Sequence, residues 1–289
     1  MRYEMSSPVF GLMIGAAITA SAAADIHPIS QFSGQYQESF EEMAVLGTPC
    51  LPWQAFDGIA ELCTPDADGC LVASCWLETC DAWPADGFYL FGAIEGPVEV
   101  TFAEPVDRFG GWFANNYSQR GAEVSLYDEF DELIETFLLP SKNDCDWRWY
   151  GWESTDVAIY RVRITGPDPS GGHVLLDALQ ADLPGQGFRL AYEGNCPGLV
   201  RFLVTGAEPG DSILVAGSSE PGRIPVPNCP GLFLDIAYEQ AQVLVSGTAD
   251  ELGEFVSEPF RVPSRACGVA VIQALNTTQC TKTPTTLIN

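Results

Sequence analysis

Aromatic side chains cluster at two places in the sequence, and at one of them amide side chains stand beside them. Trp147, Trp149, Tyr150 and Trp152 form one cluster, and at the other place Trp112 shortly precedes two asparagines and a tyrosine. A pyranose ring has an apolar C–H face that stacks on aromatic rings and a rim of hydroxyl groups that bind amides. The combination is therefore typical of a sugar site, with candidate residues Trp112, Asn115, Asn116, Tyr117, Trp147 and Trp149.

A purely structural role is the alternative for the same tryptophans. Aromatic side chains on the strands of a β-sandwich usually fill its core. All seven tryptophans precede residue 183, so either role belongs to the first part of the chain. Their exposure to solvent decides between the two roles.

Catalytic chemistry has few candidate residues in this sequence. The only histidines are His27 and His173, and the sequence has no G-x-S-x-G, H-E-x-x-H or phosphate-loop motif. A glycosidase needs only two carboxylates at a suitable separation. The 28 acidic residues between positions 25 and 182 leave that possibility open without locating it.

The ten cysteines fall into an even number on each side of residue 183, six before it and four after it. Even counts favour a disulfide framework in each half over a zinc site, since no C-x2-C pair occurs. Four of the first six lie in a Cys-rich loop at 63–83. In the second half we predict Cys196 with Cys229 and Cys267 with Cys280, because each pair brackets neighbouring strands.

Residues 11–24 form a short apolar run that ends in an alanine-rich cleavage site. The run is too short to span a bilayer, so we predict a signal peptide at 1–24 and an extracellular protein. No later stretch is long and apolar enough for membrane insertion.

Net charge is -22 for residues 25–182 and -4 for residues 183–289. Such acidity disfavours nucleic acid and anionic lipid as partners.

Strand patterns follow one another every 8 to 12 residues from position 87 onward. Val98, Val100 and Phe102 alternate with polar residues, which is typical of a sheet with one buried face. We predict an all-β protein of two β-sandwich domains. The first domain, 25–182, begins with a loose leader at 25–34 and is a jelly roll; a linker at 183–195 precedes an immunoglobulin-like sandwich at 196–289.

Four motifs carry a resemblance to known modules: V-x-V-x-F-x-x-P-V-x-x-F-G at 98–110, EVSLYDEFDELI at 123–134, I-x-x-V-x-I-T-G at 159–166 and LLDAL at 175–179. Residues 98–182 resemble jelly-roll modules of the carbohydrate-binding type found in secreted bacterial proteins. The second domain, with its two NCPG turns, resembles a small Cys-containing module at the ends of planctomycete and myxobacterial secreted proteins.

The first resemblance implies a structural calcium ion as cofactor and a polysaccharide or surface glycan as partner. By position its ligands would be Glu41 or Glu42 together with Asp177. We therefore expect a secreted, non-catalytic protein that recognises a glycan through its jelly roll. The alternatives are a structural or adhesive envelope or matrix protein without a small-molecule site, and a glycoside-active enzyme that uses a carboxylate pair.

Overall fold

The chain is described by a computed structural model for residues 26–42, 53–64, 70–73, 76–77, 80–93, 96–115, 117, 120–140 and 144–289. Regular structure in these residues is β-strand apart from three short 3-10 turns, and no helix among them is long and apolar enough to cross a membrane. The all-β prediction is therefore confirmed.

The first domain is a jelly-roll sandwich of two antiparallel sheets. The front sheet has the order β1-β13-β10-β15-β8-β5, with β2 also paired to β15, and the back sheet has the order β12-β11-β14-β9-β4-β3. A small hairpin joins β6 and β7. The strands are β1 (Ile26–Ile29), β2 (Tyr36–Glu38), β3 (Trp53–Ala55), β4 (Ala60–Cys63), β5 (Cys70–Ala73), β6 (Trp76–Leu77), β7 (Asp81–Ala82), β8 (Leu90–Ala93), β9 (Val98–Val106), β10 (Arg108–Ala114), β11 (Ala122–Tyr127), β12 (Leu133–Leu139), β13 (Arg148–Ser154), β14 (Ile159–Thr165) and β15 (Val174–Asp182).

Alternating apolar residues of both sheets fill the core between them. Val98 and Val100 are fully buried from the back sheet, and Phe109 and Phe113 face them from the front sheet. Successive strand residues point to opposite faces, so the neighbouring positions of β10 and β13 lie on the outer face of the front sheet.

Residues 30–35 cross this outer face as a strap, because β1 pairs with β13 while β2 pairs with β15 on the far side of β10. Gln180 and Asp182 accept hydrogen bonds from the backbone N–H groups of Gly34 and Gln35, at 2.7 and 2.6 Å. Phe32 of the strap is 2 % exposed. The prediction of a loose leader at 25–34 was wrong, since β1 and these buried polar side chains fix the segment.

The second domain is a smaller β-sandwich. One sheet has the order β16-β17-β22, with β23 also paired to β17, and the other has the order β21-β18-β24-β25, with β26 also paired to β24. A hairpin joins β19 and β20. The strands are β16 (Arg189–Gly194), β17 (Gly198–Thr205), β18 (Ser212–Ser218), β19 (Pro221–Pro225), β20 (Phe233–Ile236), β21 (Gln242–Thr248), β22 (Phe255–Val256), β23 (Phe260–Val262), β24 (Val271–Asn276), β25 (Thr281–Lys282) and β26 (Thr286–Leu287).

Two sequence predictions for this domain need correction. The predicted linker at 183–195 contains β16, which pairs with β17 over its whole length. The disulfides join Cys196 to Cys267 and Cys229 to Cys280. All four cysteines are bonded as expected, but the pairing was wrong because β17 lies beside β23, far along the chain, and this brings Cys196 and Cys267 to a Cα separation of 5.5 Å.

Charged and polar contacts hold the two domains together. Arg189 of β16 reaches Asp107 and Glu153 of the jelly roll, at 2.6 and 3.2 Å. Ser33 of the strap exchanges backbone and side-chain hydrogen bonds with Lys282 of β25. The strap therefore lies between the front sheet and the second domain.

Candidate functional site

The tryptophans of β10 and β13 divide between the core and the outer face. Trp152 is 2 % exposed and packs on Phe109 and Phe113, so it belongs to the core. Trp112 and Trp149 are direct partners across the two strands, with ring centroids 5.9 Å apart in an edge-to-face arrangement. Both are half-buried, so these outward-facing rings offer only part of their surface to a ligand.

The most exposed aromatic residues of this region lie on the loop 83–89, between β7 and β8. The side chain of Trp83 is 62 % exposed and that of Phe88 is 77 % exposed. Trp147, half-buried, donates a hydrogen bond from its indole N–H to the backbone carbonyl of Trp83 at 2.6 Å. Trp83 and Trp147 are therefore adjacent. Together with the outward-facing pair of β10 and β13 they make a set that we call the aromatic surface: Trp83, Trp112, Trp147 and Trp149.

Two carboxylates hold the loop 83–89 in place. Asp177 of β15 accepts hydrogen bonds from the backbone N–H groups of Ala85 and Asp86, at 2.6 and 3.0 Å. Glu41 accepts those of Phe88 and Tyr89, at 2.6 and 2.9 Å. Each hydrogen bond stabilises the conformation in which it forms, so four of them give this short loop a fixed conformation.

Covalent and steric constraints act on the same loop. The disulfide between Cys80 and Cys145 joins the segment before the loop to the segment before β13. Gly87 has φ +62°, and a Cβ there would come within 2.3 Å of a Glu41 carboxylate oxygen. Glycine alone fits this position without strain. The loop therefore presents Trp83 and Phe88 from a braced backbone.

Burial governs the electrostatics of Asp177. The side chain is fully buried, and this raises its pKa to about 7, although the N–H groups of Asp86, Ala178 and Ala85 favour the charged form. A buried carboxyl group is disfavoured in its charged form because it has lost hydration. Asp177 thus acts as an acceptor for backbone groups at the base of the loop.

The resemblance placed a calcium site at Glu41, Glu42 and Asp177. Glu41 and Asp177 do come to one loop, but one oxygen of each already accepts two backbone N–H bonds. Glu42 is exposed. No cluster of three or more His, Cys, Asp or Glu suited to a metal occurs in the parts of the chain that the structure describes. Calcium takes six to eight oxygen ligands, which include backbone carbonyls as well as carboxylates, and calcium binding stays a prediction.

Asn115 and Tyr117, which were predicted to contact a ligand, make contacts within the protein. Asn115 is fully buried, and its side chain bonds the backbone of Arg120 and of Tyr117, at 3.0 and 2.9 Å. It closes a turn, so its assignment as a ligand partner was wrong. Tyr117 is 41 % exposed and stacks on His173 with ring centroids 4.4 Å apart. Asn116 lies outside the described residues.

Three further acids have a pKa raised by burial, and each has a structural partner. Glu38 accepts the backbone N–H groups of Phe40 and Phe56. Asp107 pairs with Arg189. Burial raises the pKa of Asp182 to about 6, against the effect of Gln35 and Arg108. These carboxyl groups support the strap, the core and the domain junction.

Sequence reasoning missed Trp83 and Phe88. The W-P and D-G pairs at 83–87 mark turns, and an aromatic residue in a turn between strands is a signal for exposure. The anchors of the loop, Glu41 and Asp177, are remote in sequence, so the fixed conformation gave no local signal.

Comparison with known proteins adds little. No protein-family model and no curated protein matches the sequence. Among solved structures, the chain is similar to a β-1,2-glucanase from Parabacteroides distasonis at 10% identity and a TM-score of 0.26, over 88% of this chain. The chain spans 39% of that enzyme's length. A similarity this weak supports no conclusion about function.

Proposed function

We propose that this chain is an exported, non-catalytic protein whose jelly roll binds a neutral glycan at the aromatic surface. Trp83 would stack on a sugar ring, with Trp147 beside it and the edges of Trp112 and Trp149 completing the surface. The resemblance of residues 98–182 to carbohydrate-binding jelly rolls supports the same class of ligand. The three disulfides among the described residues suit an oxidising compartment.

The observation that carries the proposal is the fixed exposure of Trp83. A 62 % exposed indole forgoes much of the free energy that its burial would supply. Four hydrogen bonds to Glu41 and Asp177 and a disulfide hold the loop so that this side chain stays in solvent. A braced aromatic platform loses little conformational entropy when a ligand stacks on it.

Charge favours a neutral ligand over an acidic one. The first domain has a net charge of -22, and a field of this sign repels carboxylate and sulfate groups at low salt. Neutral glycans should therefore bind better than uronic-acid or sulfated glycans of the same length. Added salt should reduce the difference by screening.

The experiment is a glycan array probed with the oxidised full chain, followed by titration of the hits monitored by tryptophan fluorescence. We expect binding to neutral polysaccharides with a change in indole emission, and weaker binding to anionic ones. Failure to bind any glycan on the array, with the protein shown to be folded by circular dichroism, would contradict the proposal. A preference for anionic glycans at low salt would contradict its electrostatic part.

A further inference from the structure

We infer that the second domain pairs with a second copy of this chain through the edge strand β21. This interaction surface is independent of the proposed glycan site. β21 (Gln242–Thr248) pairs with β18 on one side, and among the described residues no strand covers its other side. The strand contains neither charged residues nor proline, which are two of the features that protect an exposed edge.

The regular part of β21 fixes the register of such a pair. A shift in the pairing with β18 falls between Val243 and Val245, so residues 245–248 form the unbroken stretch. Two copies related by a twofold axis pair antiparallel about the centre of this stretch. In that register the turn at 250–254, which follows β21 in one copy, lies at the Gln242 end of β21 in the other.

In this dimer the exposed side chain of Leu252 in one copy lies near an apolar groove of the other copy. Leu252, in the turn after β21, is 81 % exposed. A groove of about 690 Å3 lies at the other end of β21, where its lining includes Leu244, Phe260, Val269 and Ile272. The antiparallel arrangement places the Leu252 of each copy at the groove of the other, so that each contact occurs twice.

The charges at the two ends of β21 are complementary. Exposed Arg261 and Arg265 line the groove end, where Glu239 offsets one of their two charges. The opposite end carries Asp250, Glu251 and Glu254. Antiparallel pairing sets the positive end of each copy against the acidic end of the other.

Repulsion between copies is smallest at this domain. Residues 183–289 have a net charge of -4, against -22 for the jelly roll. A short strand pair with two leucine contacts forms a small interface, so the dimer is weak and depends on concentration. It joins two β21-containing sheets into one continuous sheet and leaves the aromatic surface of each copy to its own ligand.

The test is sedimentation equilibrium of the full chain over a concentration series. Leu252→Asp should weaken dimerisation about 100-fold or more, because two buried leucine contacts are lost. Leu138→Asp is the matched control, since Leu138 is 67 % exposed on β12 of the other domain; it should leave the dimer unchanged. Hydrogen exchange of residues 245–248 should slow as the concentration rises.

A charge exchange separates this dimer from nonspecific association. Arg265→Glu should weaken dimerisation about 10-fold by setting two acidic groups against each other at each end. The double variant Arg265→Glu with Glu251→Arg should recover the affinity of the original chain. A chain that is monomeric at every concentration would overturn the inference. So would a dimer indifferent to Leu252→Asp, or a double variant as weak as the single one.

Discussion

Asp182 is fully buried where the strap, β10 and the second domain meet. It accepts the backbone N–H of Gln35 at 2.6 Å and lies 3.4 Å from the guanidinium of Arg108. Burial raises its pKa from 3.8 to about 6. The folded chain therefore holds this proton more tightly than the unfolded chain does, and this makes stability depend on pH.

The sign follows from the raised pKa. Below about pH 3.8 both states are protonated at Asp182, and its full contribution to stability is present. As the pH rises through about 6 the buried group must become charged, and stability falls. The difference between the ordinary pKa of 3.8 and the folded-state pKa of about 6 corresponds to a loss of about 3 kcal/mol in the free energy of unfolding. Asp177, Asp107 and Glu38 also have raised pKa values and act in the same direction.

The variant Asp182→Asn isolates the contribution of this residue. The quantity to compare is the fall in the free energy of unfolding between about pH 4 and about pH 8. We expect this fall to be about 3 kcal/mol smaller for Asp182→Asn than for the original chain. Urea denaturation followed by circular dichroism at a series of pH values measures both curves. Asp146→Asn, at a side chain that is 75% exposed, is the control for loss of a carboxyl group. Parallel curves for Asp182→Asn and the original chain would refute the reasoning.

Three further predictions concern the core, the braced loop and calcium. Trp152→Ala should lower the free energy of unfolding by about 3–5 kcal/mol in urea denaturation, because its 2 % exposed ring lies in the core; a loss below about 1 kcal/mol would contradict that placement. Replacing Cys80 and Cys145 by serine should cost about 2–4 kcal/mol and weaken glycan binding, since the bond closes a separation of 65 residues and braces the loop; unchanged stability and binding would count against the brace. If calcium binds the native state, added calcium should raise the melting temperature and a chelator should lower it; a melting temperature indifferent to both removes the calcium prediction.

Short-range patterns predicted the sheets well. Val98, Val100 and Phe102 alternate with polar residues, and all three are buried between the sheets. Such alternation depends only on neighbouring residues, because side chains on a strand point alternately to its two faces. The strand patterns on which the all-β fold class rests needed no knowledge of distant contacts.

Long-range partners were the part that sequence could not supply. Cys196 bonds to Cys267, 71 residues away, because they lie beside β17 and β23, which are neighbours in one sheet. The segment 30–35 has no strand pattern of its own, and it is fixed by Gln180 and Asp182. Asn115 has the residue type of a ligand partner, yet it closes a buried turn.

The candidate site depends on long-range contacts too. Trp147, a candidate from the sequence, contacts Trp83, and Trp83 was missed because its exposure depends on Glu41 and Asp177. A sequence pattern indicates that a residue lies in a turn. It does not indicate whether distant carboxylates hold that turn open to solvent.

The most direct test of the glycan-binding account is one comparison of Trp83→Ala with Phe130→Ala by titration calorimetry on the best neutral glycan. Both aromatic side chains are largely exposed, 62 % and 74 %, so neither change should alter stability by more than about 0.5 kcal/mol. We predict that Trp83→Ala weakens binding about 10-fold or more and that Phe130→Ala leaves it unchanged. Equal affinity of the two variants and the original chain would contradict the account.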